Sequence, residues 1–290
     1  MTINQHTPYY LGLAQWHHPA WYTTADSSSL ALALYSKAFT SVEGNSSFYG
    51  LPSTKSIDDW AKRAHSPFAF CFKFPQSITH HSALYQCDRQ VTEFLNRIAP
   101  LGDKTGVLWL QMNSQFSPEH LERLSRFLGN LAPDFEYGIE VRNLGFFDKA
   151  DNEKRFNQIL MQHGVNRVSF DTRALFAHPK NDPVTQEAFR AKPRMPVHVI
   201  ATGNSPFIRF ITPLDIELGY DYLAPWIKKV AGWIHEGKKP YLFFHTPDNQ
   251  AAPQLAQYFN EQLKALCPQV PSLQLPPHTW LNNTSQTELF

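Results

Sequence analysis

Short apolar runs alternate along the chain with longer stretches whose apolar residues recur at helical spacing. Tyr9 to Ala14 reads as the first strand and ends at Gln15-Trp16-His17-His18. Ser27-Ser28-Ser29 then caps a helix carried by Leu30, Leu34, Tyr35 and Ala38. Phe39 to Val42 is the second strand and runs into Glu43-Gly44-Asn45-Ser46-Ser47-Phe48-Tyr49. Its helix follows Pro52, capped by Ser53 or Thr54, with Ile57, Trp60, Ala61 and Ala64 on one face. Phe68 to Phe74 is the third strand, with Lys73 near its end, and Val91, Phe94, Leu95 and Ile98 mark the next helix. Gly106 to Leu110 is the fourth and leads to Gln111; Ser117-Pro118-Glu119 starts a helix lined by Leu121, Leu124, Leu128 and Leu131.

The second half repeats the pattern. Tyr137 to Val141 is the fifth strand, followed by a helix through Phe156, Ile159 and Leu160 that Gly164 closes. Val165 to Phe170 is the sixth strand, ending at Asp171-Thr172-Arg173. The proline-rich interval from Ala174 to Ser205 is irregular, with a brief helix at Gln186 to Arg190, and reads as a functional loop or lid. Phe207 to Ile211 is the seventh strand, with Arg209 inside it and Thr212 after it. Tyr222 to Trp233 is an amphipathic helix, and Tyr241 to Phe244 is the eighth strand, ending at His245-Thr246-Pro247-Asp248-Asn249. A last helix uses Leu255, Tyr258, Phe259, Leu263 and Leu266, before a proline-rich tail, residues 268–290.

Eight strand–helix alternations with no break in composition predict an α/β fold, one (β/α)8 TIM-barrel domain over residues 1–290. A doubly wound open sheet is the alternative. No Gly-x-Gly-x-x-Gly turn or Walker-type phosphate loop supports it.

Composition narrows the function classes. At 290 residues, 42% hydrophobic and 18% charged, the chain is long and apolar enough to bury a large core. A net charge of +1 gives no global attraction to nucleic acid or anionic lipid. No apolar run approaches the ~20 residues of a bilayer span, and Met1 to Pro8 has no signal-peptide pattern. Cys71, Cys87 and Cys267 are odd in number and lack metal-type spacing, so they read as reduced thiols of a cytoplasmic protein.

The strand ends carry the chemistry. Glu140 and Arg142 flank Val141 and share one face of an extended chain. In a closed barrel the C-terminal strand ends face a common site. Glu43, Lys73, Glu140 and Asp171 are then the candidate catalytic groups, because clustered charges shift one another's pKa values. Asn45, Tyr49, Gln111, Arg142, Arg209, Thr212, His245, Asn249 and Trp16 are the candidate ligand contacts. The bland reading makes these barrel-lining ion pairs, with Lys73 a partner of Glu43 or Glu140. Burial beside cations would instead make Lys73 a Schiff-base or general-acid lysine. Arg209, inside an apolar strand, reads as an anion clamp, with phosphate held between it, Thr212 and the backbone of residues 249–251. His17 and His18, with His245, Glu140 and Asp171, offer a metal set, but no ligand spacing backs it; neither metal nor cofactor is expected. His80-His81 reads as a loop contact or cap. Trp16, Trp21, Phe48, Tyr49, Phe74 and Phe146 either stack a ligand ring or pack beneath the loops.

Four segments also resemble a known family. They are Gly12 to Tyr22, Val42 to Pro52 (Val-Glu-Gly-Asn-Ser-Ser-Phe-Tyr-Gly-Leu-Pro), Phe70 to Pro75 with Ile78-Thr79-His80, and Glu140-Val141-Arg142-Asn143. Together they resemble the YecE-like family, domain of unknown function 72. That resemblance implies a TIM barrel and specifies no reaction. Two places depart from the family pattern: Ile211-Thr212 stands where a His-Gly pair is common, and His245 to Asn249 replaces an Asn-containing turn.

The expected function is acid–base chemistry on a small polar, anionic ligand bearing phosphate or carboxylate, with neither membrane nor nucleic acid as partner. A non-catalytic module binding single-stranded nucleic acid or a protein, and a glycoside hydrolase built on two carboxylates, are the alternatives.

Overall fold

The computed structural model describes residues 7–18 and 30–275. The cap at Ser27-Ser28-Ser29, Trp21 and the tail beyond residue 275 lie outside the described residues. Eight parallel strands close into a barrel in sequence order. They are β1 Tyr10–Leu13, β2 Ser41–Gly44, β3 Ala69–Lys73, β4 Thr105–Gln111, β5 Tyr137–Glu140, β6 Asn166–Asp171, β7 Phe207–Ile211 and β8 Tyr241–His245. β8 pairs with β1, and no open edge remains in the sheet. The expected TIM barrel is what the chain forms.

Strand alternation divides the buried residues into two cores. Outward-facing residues such as Phe70, Phe72, Leu108 and Leu110 pack under the helices. Inward-facing residues fill the barrel: Tyr10 stacks on Tyr241 at 4.4 Å, and Cys71, Trp109, Phe207 and Phe243 belong to the same inner cluster. Gly138 makes room among them. A Cβ there would come within 3.0 Å of Val168 and 3.1 Å of Val107. One step further along the strands the inward positions become Glu43, Lys73, Gln111, Glu140, Phe170, Arg209 and His245. Register sets Lys73 beside Trp109, Gln111 beside Glu140, and Phe170 beside Arg209.

The outer layer holds α1 Ala31–Ala38, α2 Thr54–Arg63, α3 Asp88–Ile98, α4 Leu121–Gly129, α5 Asp151–Gln162, α6 Arg173–Ala177, α7 Pro183–Ala191, α8 Tyr220–His235 and α9 Ala252–Leu266. Ser53 caps α2, accepting from the Ser56 N–H at 3.0 Å. None of these helices is long and apolar enough to cross a membrane.

Two boundaries differ from the sequence expectation. Phe39 does not open β2; its N–H closes α1 on the Tyr35 carbonyl, and its ring stacks on Tyr35 at 4.8 Å. β2 runs instead through Glu43 and Gly44. The interval after β6 is also more helical than expected. Asp182 accepts from the Thr185 N–H at 2.7 Å and Pro183 stands at the first turn, a cap signal that starts α7 well before Gln186. Residues 192–206 then return to β7 without helix or strand. Thr202 pins this return to the Val165 carbonyl at 2.6 Å.

Candidate functional site

Arg209 is the centre of the barrel's C-terminal mouth. Its Nε and Nη2 donate to Glu43 at 2.9 and 2.6 Å, and Nη1 donates to Glu140 at 2.7 Å. The guanidinium lies over the Phe170 ring, 4.2 Å from its centroid. All four side chains are buried. Burial alone would raise the pKa of Glu43, but the Arg209 charge and His245 overcome it and hold the carboxyl well below the usual range. Glu140 is pulled to about 2 against the same burial by Arg142, Arg209 and Lys73. Each carboxylate thus raises the pKa of the arginine between them, although burial opposes it.

A second shell of polar groups completes these bonds. Asn45 donates to Glu43 at 2.8 Å, and the His245 Nε2 lies 3.0 Å from the other oxygen of that carboxylate. Burial lowers the His245 pKa despite Glu43, so the ring is a neutral group at neutral pH. Arg142 donates through Nε to Glu140 at 2.9 Å and through Nη2 to Gln111 at 2.8 Å.

Lys73 differs from the other cations. It makes no ion pair with a described residue; its Nζ donates to the neutral Gln111 amide oxygen at 3.0 Å. The ammonium lies over Phe48 at 5.1 Å and Trp109 at 5.6 Å. Burial, and then the Arg209 charge, bring its pKa down to about 8, with Glu43 and Glu140 opposing. The expected direct pairing of Lys73 with either glutamate is therefore replaced by an amide and two aromatic faces. Phe48 reaches this position because the turn after β2, Ser46–Phe48, is tied to β3: the Ser47 hydroxyl lies 2.7 Å from the Lys73 carbonyl oxygen.

Two groups at the mouth were not among the expected site residues. His80 sits in a single π-helical turn, Ser77–His81, its ring against Phe48 at 4.9 Å. Burial and the charges of Arg142 and Lys73 lower its pKa. The Ile78-Thr79-His80 match to the family was the available hint. Lys192 follows α7 and feels the charges of Arg209, Glu43, Arg142 and Glu140, though burial is the largest cause of its lowered pKa. Its N–H donates to the Ala188 carbonyl at 2.9 Å, but its side chain makes no hydrogen bond or ion pair with a described residue. Nothing periodic in the irregular return loop marks it.

Five expected site residues lie elsewhere. Asp171 ends β6 on the outward parity: it accepts from Arg173 at 2.7 Å and from the Trp226 Nε1 of α8 at 2.8 Å. Phe170 takes the inward place, because it covers the Arg209 guanidinium. Thr212 donates to the Pro213 carbonyl at 2.8 Å and packs against Gly219, where a Cβ would meet its methyl at 2.1 Å. Trp16 packs edge-on to Trp60 at 5.1 Å and to Phe70 at 6.2 Å, within the outer core. Tyr49 is 78% exposed, and Phe48 instead supplies the aromatic wall. Asn249 occupies a left-handed turn whose neighbour Gln250 accepts from His18 at 3.0 Å. With Arg209 engaged by two carboxylates and Thr212 turned out, the expected phosphate cradle beside residues 249–251 is not assembled. His17 and His18 do not converge with His245 and Glu140, and no cluster of three or more metal-ligating side chains occurs among the described residues.

Comparison with known proteins bears on the fold and the family. The chain is 41% identical over 261 residues to UPF0759 protein YecE of Escherichia coli K12, covering 90% of this chain and 94% of that one. Among solved structures, a DUF72 family protein from Enterococcus faecalis V583 superposes with a TM-score of 0.65 at 20% identity, over 91% of this chain and 99% of the other. One from Thermotoga maritima MSB8 gives 0.62 at 23% identity, over 88% and 98%. At those identities the two structures speak for the fold. The sequence profile of the family described as "Protein of unknown function DUF72" matches residues 10–279, and the chain belongs to that family.

Proposed function

We propose that the barrel mouth binds a small anionic ligand, carboxylate- or phosphate-bearing, and moves protons on it. One observation carries this reading: among the described residues, four cationic side chains, Lys73, Arg142, Lys192 and Arg209, meet only two carboxylates, Glu43 and Glu140. Arg209 and Arg142 are paired with Glu43 and Glu140 within the protein, so the uncompensated charge rests on Lys73 and Lys192. A buried or half-buried cation without a counter-charge favours an anion that supplies one. His245 and His80, both with lowered pKa, are neutral rings able to accept a proton from a bound acid. Three free, buried cysteines support a reducing compartment, the cytoplasm.

The competing readings have less support. A glycoside hydrolase needs one carboxyl kept protonated, whereas Glu43 and Glu140 are both held ionised by the same guanidinium. A stacking platform for nucleic acid loses Trp16 to the outer core.

Thermal unfolding with sulfate, phosphate and small carboxylates tests the proposal. Stabilisation of the native chain, lost in Lys192→Ala and in Arg142→Ala, is the expected result. Stabilisation that is absent, or unchanged in both variants, overturns it.

A further inference from the structure

We propose that Lys73 forms a covalent imine with a small aldehyde or ketone that carries a carboxylate or phosphate group. The inference rests on the anion-binding reading above and adds the electrophile. An imine-forming lysine needs its amine free of a carboxylate partner, partly desolvated, and beside other positive charge. Lys73 meets each condition. Among the described residues its Nζ hydrogen-bonds only to the Gln111 amide oxygen, which holds it at 3.0 Å without neutralising it. Phe48 and Trp109 flank it, and the Trp109 indole N–H, fully buried, has no acceptor among the described residues. Arg209 and Arg142 act on it through charge, and the lowered pKa, about 8, leaves a neutral fraction at neutral pH. By contrast Lys104, in the turn just before β4, donates to the carbonyls of Ala61 and Ala64 at 2.6 and 2.7 Å.

The chemistry balances within this set of groups. The Nζ lone pair attacks the carbonyl carbon, the π pair moves to oxygen, and the nitrogen gives up a proton while the oxygen gains one. Protonation of the resulting hydroxyl expels water and leaves a protonated imine. His80 contacts the same Phe48 ring as Lys73, at 4.9 Å from ring to ring, and in this proposal is the neutral group that carries those two protons. Lys192 and Arg142 supply the charge that holds the anionic end of the substrate. No oxidant or reductant is needed. The iminium is an electron sink, suited to breaking or making the bond at the adjacent carbon.

Borohydride trapping decides the matter, because hydride reduces an imine to a stable secondary amine. The intact protein is incubated with borohydride and, separately, pyruvate, glyoxylate, glyceraldehyde 3-phosphate and neutral acetaldehyde, and the modified residue is located by peptide mass mapping. The expected result is a reduced adduct on Lys73 with at least one anionic carbonyl, weaker or absent with acetaldehyde, rising in yield as the pH approaches 8. The carboxylate and phosphate members show which anionic group is taken. In Lys73→Arg the adduct disappears; mapping on the native chain gives the same answer if that variant fails to fold. No adduct with any member, adducts spread over surface lysines, or equal trapping of acetaldehyde overturns the proposal. Lactate, which lacks a ketone or aldehyde carbonyl, separates the two readings: stabilisation by lactate without trapping of any of the anionic carbonyls ends the imine and leaves anion binding standing.

Discussion

Arg209 and Glu43 form a two-bond, side-on pair inside the barrel, Nε to Oε2 at 2.9 Å and Nη2 to Oε1 at 2.6 Å. A guanidinium in this geometry is a structural partner whose loss leaves Glu43 buried without its cation and Glu140 with Arg142 alone. Arg209→Ala is therefore expected to cost about 3–5 kcal/mol in urea unfolding. Arg209→Lys is expected to recover only part of that, because an ammonium cannot match the fork. A loss below about 1 kcal/mol, within the range of exposed pairs, would show that the arginine is free for ligand after all.

Acid sensitivity follows from Glu140. Its folded pKa, about 2, lies below the ordinary value of 4.5. The contribution is thus fully present above pH 4.5 and is lost as the pH falls from there towards 2. Integrated over that window it is on the order of 3 kcal/mol, with Glu43 adding in the same direction. Stability measured from pH 6 to 2 is expected to fall more steeply in the native chain than in Glu140→Gln. Equal slopes would remove the pairing from the list of acid-labile contacts.

Asp171 serves the outer layer. In Asp171→Asn, the bonds to Arg173 and Trp226 are weakened, and a stability loss of about 1–3 kcal/mol is expected. The thermal shift induced by anions is expected to stay at its native size. An anion response abolished at unchanged stability would return Asp171 to the mouth.

The return loop is tethered from outside. His198 Nδ1 lies 2.7 Å from Glu153 Oε1, the oxygen that also accepts from Arg167 at 2.8 Å. His198→Ala is expected to speed hydrogen exchange across residues 192–205 while β6 and β7 keep their protection. It is also expected to reduce the anion-induced shift, because Lys192 belongs to the released segment. Native exchange rates in the variant would mean that the bonds of Thr202, Pro193 and Ser205 hold the loop without His198.

Strand endings made much of this site legible. Glu43, Lys73, Gln111, Glu140, Arg142, Arg209 and His245 all follow apolar runs, and the closed barrel brings them together. Parity was the obscured part. In β6 the residues before Asp171 are buried on both faces, so the hydrophobic pattern does not say which face looks inward. Phe170 wins the interior through its contact with Arg209, and Asp171 goes to Trp226. Thr212 after Ile211 follows the same logic. Lys192 is invisible for a different reason: its position depends on tethers at His198 and Thr202, and a loop without period carries no trace of them. His80 was readable only through its family segment.

The central ion network also spans the order in which the chain is made. Arg209 lies 166 residues after Glu43 and 69 after Glu140, and His245 lies 202 residues after Glu43. Synthesis from the N-terminus delivers both carboxylates well before the guanidinium. A nascent barrel that closed on its first six strands would bury Glu43 without a cationic counterpart, so these bonds penalise premature closure. Contacts of such sequence separation form late and slowly. The network that charges the mouth therefore acts as a completeness check on the newborn chain, rewarding closure only after β7 has emerged.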